Sequence, residues 1–109
     1  MITVSLYKKN NNYYKLLIKG HANYAKHGND IVCAAVSALS YSLYLGLNNV
    51  LNLSENIKAK QEDGFFNLIL DKPDEKTEIL FKTFVESIKS VEENYKKCIV
   101  ILYKEEDDA

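Results

Sequence analysis

Twice along this chain an alternating hydrophobic pattern gives way to a helical one, and each alternating stretch is broken by a turn signal. In the first, Ile2, Val4 and Leu6 alternate with Thr3, Ser5 and Tyr7, the period of a half-buried strand. "KKNNN" interrupts it, and "YYKLLIKG" returns as the second arm of a hairpin closed by Gly20. In the second, "NIKAKQ" and "FFNLIL" flank a tight-turn signal at Asp63-Gly64. A short apolar run, "CIVILY", follows the second helical segment and is expected as a strand inside the sheet. The order ββαββαβ argues for an α+β fold, with two main helices packed on a mixed or antiparallel sheet. The two halves share this plan but no sequence identity, so they are not a repeat.

The first helix is predicted over "IVCAAVSALSYSLYLGLNN", with Asp30 as its N-cap and Asn48 and Asn49 as its end. Ile31, Val36, Leu39, Leu43 and Leu47 spread apolar surface widely around its axis, which predicts a central helix covered on more than one side. Pro73 and the acidic residues of "DKPDEK" introduce the second helix. There Leu80, Phe84, Ile88 and Val91 form an inward stripe, with Lys82, Glu86, Lys89 and Glu93 outward. The end, "KEEDDA", is expected to be solvated and mobile.

With 109 residues, the chain suits a single domain over 1–109 with one hydrophobic core. A formal net charge of -1 gives no general attraction to nucleic acid or to an anionic membrane surface. The opening "MITVSLYKK" lacks the pattern of a signal peptide. The run from Ile31 to Leu47 is interrupted by Ser37, Ser40 and Ser42 and is not expected to reach membrane-spanning length. A cytoplasmic location follows as the expectation, with Cys33 and Cys98 as free thiols and Cys98 as inert core.

The chemistry-bearing residues gather between Gly20 and Ser37. With Asp30 as N-cap, Cys33 falls in the first helical turn, where the backbone dipole favours an anion and cysteine nucleophiles are made. His21 stands twelve positions upstream across a loop, and Gly20 and Gly28 permit the bends that would fold that loop back. The first-turn amides are candidates for holding a developing oxyanion. Ser37 lies one turn after Cys33. On residue type alone, a cysteine in an apolar run is more often core than catalytic. A zinc site from His21, His27, Cys33 and Asp30 is the rival reading, although the short ligand spacings of familiar zinc sites are missing. "GHANYAKHG" has no phosphate-loop spacing, and no motif calls for a cofactor.

The whole segment "GHANYAKHGNDIVCAAVSAL" resembles the signature of the ribosomal-processing cysteine protease family, Prp, in which G-H-A is followed by G-x-D-I-V-C-A-A-V-S. Here the matching residues are Gly20, His21 and Ala22, then Gly28 and Asp30 through Ser37. "DGFF" at Asp63 to Phe66 is a further identity. The resemblance implies a Cys–His dyad peptidase, with Cys33 as nucleophile and His21 as general base and then acid. It also implies a homodimer and a flexible loop, about Ala22 to Asn29, that adjusts when substrate docks. The implied substrate is the precursor of ribosomal protein twenty-seven of the large subunit, whose short N-terminal extension is removed. No third catalytic residue follows from the motif, and Asp30 is assigned to organising the helix start. A non-catalytic peptide-binding module of ribosome assembly is the alternative function.

Overall fold

The computed structural model describes residues 1–26 and 30–106. The first hairpin is β1 (Ile2–Lys9) and β2 (Asn12–Lys19), joined at Asn10 and Asn11, both with positive φ (53° and 66°). Asparagine tolerates that region, and two such residues make the turn whose twist suits a hairpin. The second hairpin is β3 (Ile57–Glu62) and β4 (Phe65–Leu70), turning at Asp63 and Gly64. Helix α1 spans Ile31–Leu45 and continues as a π-helical turn over Gly46–Val50. Helix α2 spans Glu75–Asn94, and β5 spans Ile99–Glu106. The expected ββαββαβ order is therefore present, as an α+β fold with a mixed five-stranded sheet.

The sheet order is β3-β4-β2-β1-β5, antiparallel except for the parallel pair β1 and β5. Its register places Val4 and Leu6 beside Ile18 and Leu16, which in turn face Phe66 and Leu68. That face meets Val32, Val36 and Leu43 of α1 and Phe81, Phe84 and Ile88 of α2 in one core cluster. Tyr13 stacks on Phe81 with ring centroids 5.8 Å apart. Asp74 caps α2 in a reciprocal capping box with Thr77, an arrangement worth about 1 kcal/mol.

Several expectations are corrected. The run "CIVILY" is not interior: β5 is an edge strand, with Leu102 and Tyr103 exposed. Its apolar residues serve one face, where Ile99 and Ile101 join the core. The chain stays in β5 through Glu106, so Lys104, Glu105 and Glu106 are strand rather than loose tail. Helix α1 packs on the sheet and beside α2, burying Val32, Val36, Ser40 and Leu43, but it is not enclosed as a central helix: Ile31 and Tyr41 are more than half exposed. It also passes through Asn48 and Asn49 rather than stopping there. Contrary to the expectation of a run too short, Ile31–Val50 is long and apolar enough, by length and composition alone, to cross a membrane (mean hydropathy 1.5). In this fold it packs on the sheet, and the buried Ser40 hydroxyl donates to the Val36 carbonyl at 2.7 Å. Glu78, on the buried side of α2, accepts the Tyr13 N–H at 2.8 Å.

Candidate active site

The site forms where β2 ends, α1 begins and the β3–β4 turn comes alongside. Strands β2 and β4 pair as far as Lys19 and Phe65, and the Gly20 N–H extends the ladder by donating to the Gly64 carbonyl at 2.9 Å. Gly20 takes φ +100°, which redirects the chain off the sheet toward the head of α1. The bend expected of Gly20 is thus present. Gly28, His27 and Asn29 lie outside the described residues.

His21 follows the bend and rests against the opposite turn. Its Nε2 is 3.7 Å from Asp63 Oδ2, an ion-pair separation longer than a direct hydrogen bond. Ala22 is buried, and its backbone N–H donates to Cys33 Sγ at 3.3 Å. The sulfur, half-buried and unbridged, therefore has a fixed donor aimed at it from the residue after the histidine. A donor so placed stabilises charge on sulfur.

Asp30 accounts for both ends of this arrangement. Its Oδ1 accepts the Val32 and Cys33 N–H groups, each at 3.0 Å, as the N-cap reading requires. Its Oδ2 turns the other way and accepts Tyr24 N–H at 2.9 Å, with Ala25 N–H at 3.5 Å. One carboxylate thus joins the incoming loop to the helix start. The Cys33 N–H, above all, holds the Asp30 carboxyl below its ordinary range, with Tyr24, Ala25 and Val32 adding and desolvation opposing. The Tyr24 ring packs edge-on against Tyr95 at 5.3 Å, a second anchor for the loop.

The expectation that first-turn amides could cradle an oxyanion is corrected by these bonds. Val32 and Cys33 N–H both go to Asp30 Oδ1, and Ala34 N–H goes to the Asp30 carbonyl. The Ala22 N–H is the donor that faces the Cys33 sulfur instead.

His21, Asp30, Cys33 and Ser37 all border one cavity of about 540 Å³, with Asp63 and Gly64 on its far wall. Ser37 is exposed at its margin, one turn beyond Cys33. Cys98 is buried in the core cluster, away from this cavity's lining. Among the described residues no group of three or more His, Cys, Asp or Glu could hold a metal ion. Asp63 was missed as a site residue because Asp-Gly signals a turn, and nothing local says which loop that turn will face.

The family model described as cysteine protease Prp matches residues 1–100. The ribosomal processing cysteine protease Prp of Staphylococcus aureus (strain Mu50) is 28% identical over 93 residues, covering 82% of this chain and 85% of that one. Its counterpart in Bacillus subtilis (strain 168) is 27% identical over 82 residues, covering 71% and 73%. A crystal structure of the essential ribosomal processing protease Prp from S. aureus, in complex with a covalently linked product peptide, matches with a TM-score of 0.85. That likeness has 26% identity and covers 95% of this chain and 100% of the other.

Proposed function

The chain belongs to the cysteine protease Prp family, a family of ribosomal processing proteases, and from that premise we propose that it cuts by a Cys33–His21 dyad. Its substrate is the precursor of ribosomal protein twenty-seven of the large subunit, from which it removes a short N-terminal extension. It works as a cytoplasmic homodimer, with no cofactor and no direct contact to nucleic acid. The observation that carries the dyad is the Ala22 N–H bond to Cys33 Sγ at 3.3 Å. It brings the residue next to His21 against the sulfur, and both side chains border one cavity.

In the reaction, His21 takes the Cys33 thiol proton and the sulfur attacks the scissile carbonyl carbon, forming an S–C bond. The carbonyl electrons pass to oxygen, giving a tetrahedral centre that carries the negative charge. As the tetrahedral centre collapses, the C–N bond breaks and imidazolium His21 gives its proton to the departing amine. The extension is left as a thioester on Cys33. Water then loses a proton to His21 and adds to the thioester carbon; the S–C bond breaks, and the proton returns to sulfur. The S. aureus relative with a covalently linked product peptide is consistent with chemistry of this kind.

The test is incubation with a peptide spanning the precursor's N-terminal extension, with and without a thiol alkylator, and the cut position read by mass spectrometry. Cleavage at one bond, abolished by alkylation and by Cys33→Ser, is the expected result. A Cys33→Ser protein that cleaves at the wild-type rate, or a wild type that binds the peptide and leaves it whole, would overturn the proposal.

A further inference from the structure

We propose that Asp63, at the tip of the β3–β4 hairpin, is a positioning residue for His21 that sets which imidazole nitrogen carries the proton. The inference rests on the dyad reading and adds a third side chain to it. Two features of the turn converge on the same ring. Asp63 Oδ2 lies 3.7 Å from Nε2. Gly64, the next residue, makes room for the ring: a Cβ there would stand 2.7 Å from Nε2 and 3.2 Å from both Cδ2 and Cε1. The imidazole therefore lies against the bare backbone of Gly64, with Nε2 toward the carboxylate.

The sheet holds these parts in place. His21 directly follows Gly20 and Asp63 directly precedes Gly64, and the Gly20 N–H bonds the Gly64 carbonyl at 2.9 Å. Imidazole and carboxylate thus flank one backbone hydrogen bond at the end of the β2–β4 ladder. Their relative position belongs to the sheet, not to the loop that leads to α1.

A carboxylate beside Nε2 favours the tautomer with its proton on that nitrogen. On the dyad reading, Nδ1 is then the nitrogen that takes the Cys33 proton. The two side chains are 44% and 77% exposed, so water screens the interaction. The expected effect is therefore about two- to fivefold on kcat, far below that of a buried triad acid.

The experiment compares wild type, Asp63→Ala, Asp63→Glu and His21→Ala in cleavage of the precursor peptide, with the His21 tautomer read from imidazole ¹⁵N spectra of the first three. Asp63→Ala should lower kcat about two- to fivefold with KM little changed, and its Nε2–H signature should give way to a tautomer mixture. Asp63→Glu should recover most of both. An Asp63→Ala enzyme with wild-type kcat and an unchanged tautomer pattern overturns the positioning role. Loss of activity in His21→Ala beside that result leaves the dyad standing; full activity in His21→Ala removes the dyad and this proposal with it.

Discussion

Replacing Gly64 by alanine should damage catalysis as well as folding. Gly64 has φ +69°, and a non-glycine residue in that region costs roughly 1–2 kcal/mol. The new methyl would stand 2.7 Å from His21 Nε2, closer than side-chain carbons come to other atoms. What it meets, however, is the end of a half-exposed side chain, which can swing aside for about 1 kcal/mol of rotamer strain. The sum, about 2–3 kcal/mol, lowers the melting temperature by roughly 10–15 °C in a domain of this size. Gly20→Ala is the informative comparison. Gly20 also has positive φ, +100°, but its methyl would collide with the Met1 carbonyl, which is backbone and has nowhere to turn. It should unfold at lower temperature than Gly64→Ala in the same thermal scan. In peptide cleavage, at a temperature where Gly64→Ala is still folded, its kcat should fall about a hundredfold, since a displacement of about 1 Å is enough for such a loss. Gly64→Ala with wild-type kcat, or melting below Gly20→Ala, would refute the claim that this glycine exists to seat the imidazole.

Glu78→Ala should cost about 1–3 kcal/mol in urea denaturation, because it leaves the buried Tyr13 N–H without its acceptor; a loss below about 0.5 kcal/mol would contradict that. The Asp30 carboxyl is held below its ordinary range in the folded chain, so its contribution is fully present above the unfolded value and disappears as pH falls through the folded one. Below about pH 4, wild-type stability should therefore fall more steeply with acid than that of Asp30→Asn, and equal slopes would be inconsistent with the carboxylate bridge. Burial first, and a hydrogen bond with Glu106 second, push the Tyr14 phenol up to about 12. Its folded value lies above its unfolded one, so this contribution holds below about pH 10 and is lost as pH rises toward 12. Ultraviolet titration should show a late ionisation step that Tyr14→Phe removes; a step unchanged in that variant would assign it elsewhere.

Local signals carried the parts of this molecule that are local. Asp30 as N-cap, the turns at Asn10-Asn11 and Asp63-Gly64, and the outward Lys82, Glu86, Lys89 and Glu93 all depend on residues within a few positions of one another. The order of strands does not. Nothing inside "CIVILY" distinguishes an edge strand whose one face is covered from an interior strand, and the parallel pairing with β1 is a long-range choice. Glu78 was hidden for a similar reason: in a helix full of charges it looks solvated, and only the approach of Tyr13 gives it a partner. At the site, the spacing of Asp30 and Cys33 showed the helix start. That same spacing could not reveal that Asp30 already occupies the first-turn amides and also holds Tyr24.

The parallel pairing of β1 with β5 has a consequence for how the molecule comes into being. Ile2 lies beside Ile99 and donates its N–H to the Cys98 carbonyl at 2.7 Å, and Ile2 also lines the cavity at the candidate site. While the chain is being synthesised, β1 can hairpin with β2 almost at once, but its other edge stays bare until β5 has emerged. Closing a contact over that sequence distance is slow. Throughout that interval an unpaired strand edge is exposed to other nascent chains. Completion of the sheet, and with it one wall of the cavity, therefore waits for β5, the last of the five strands in chain order.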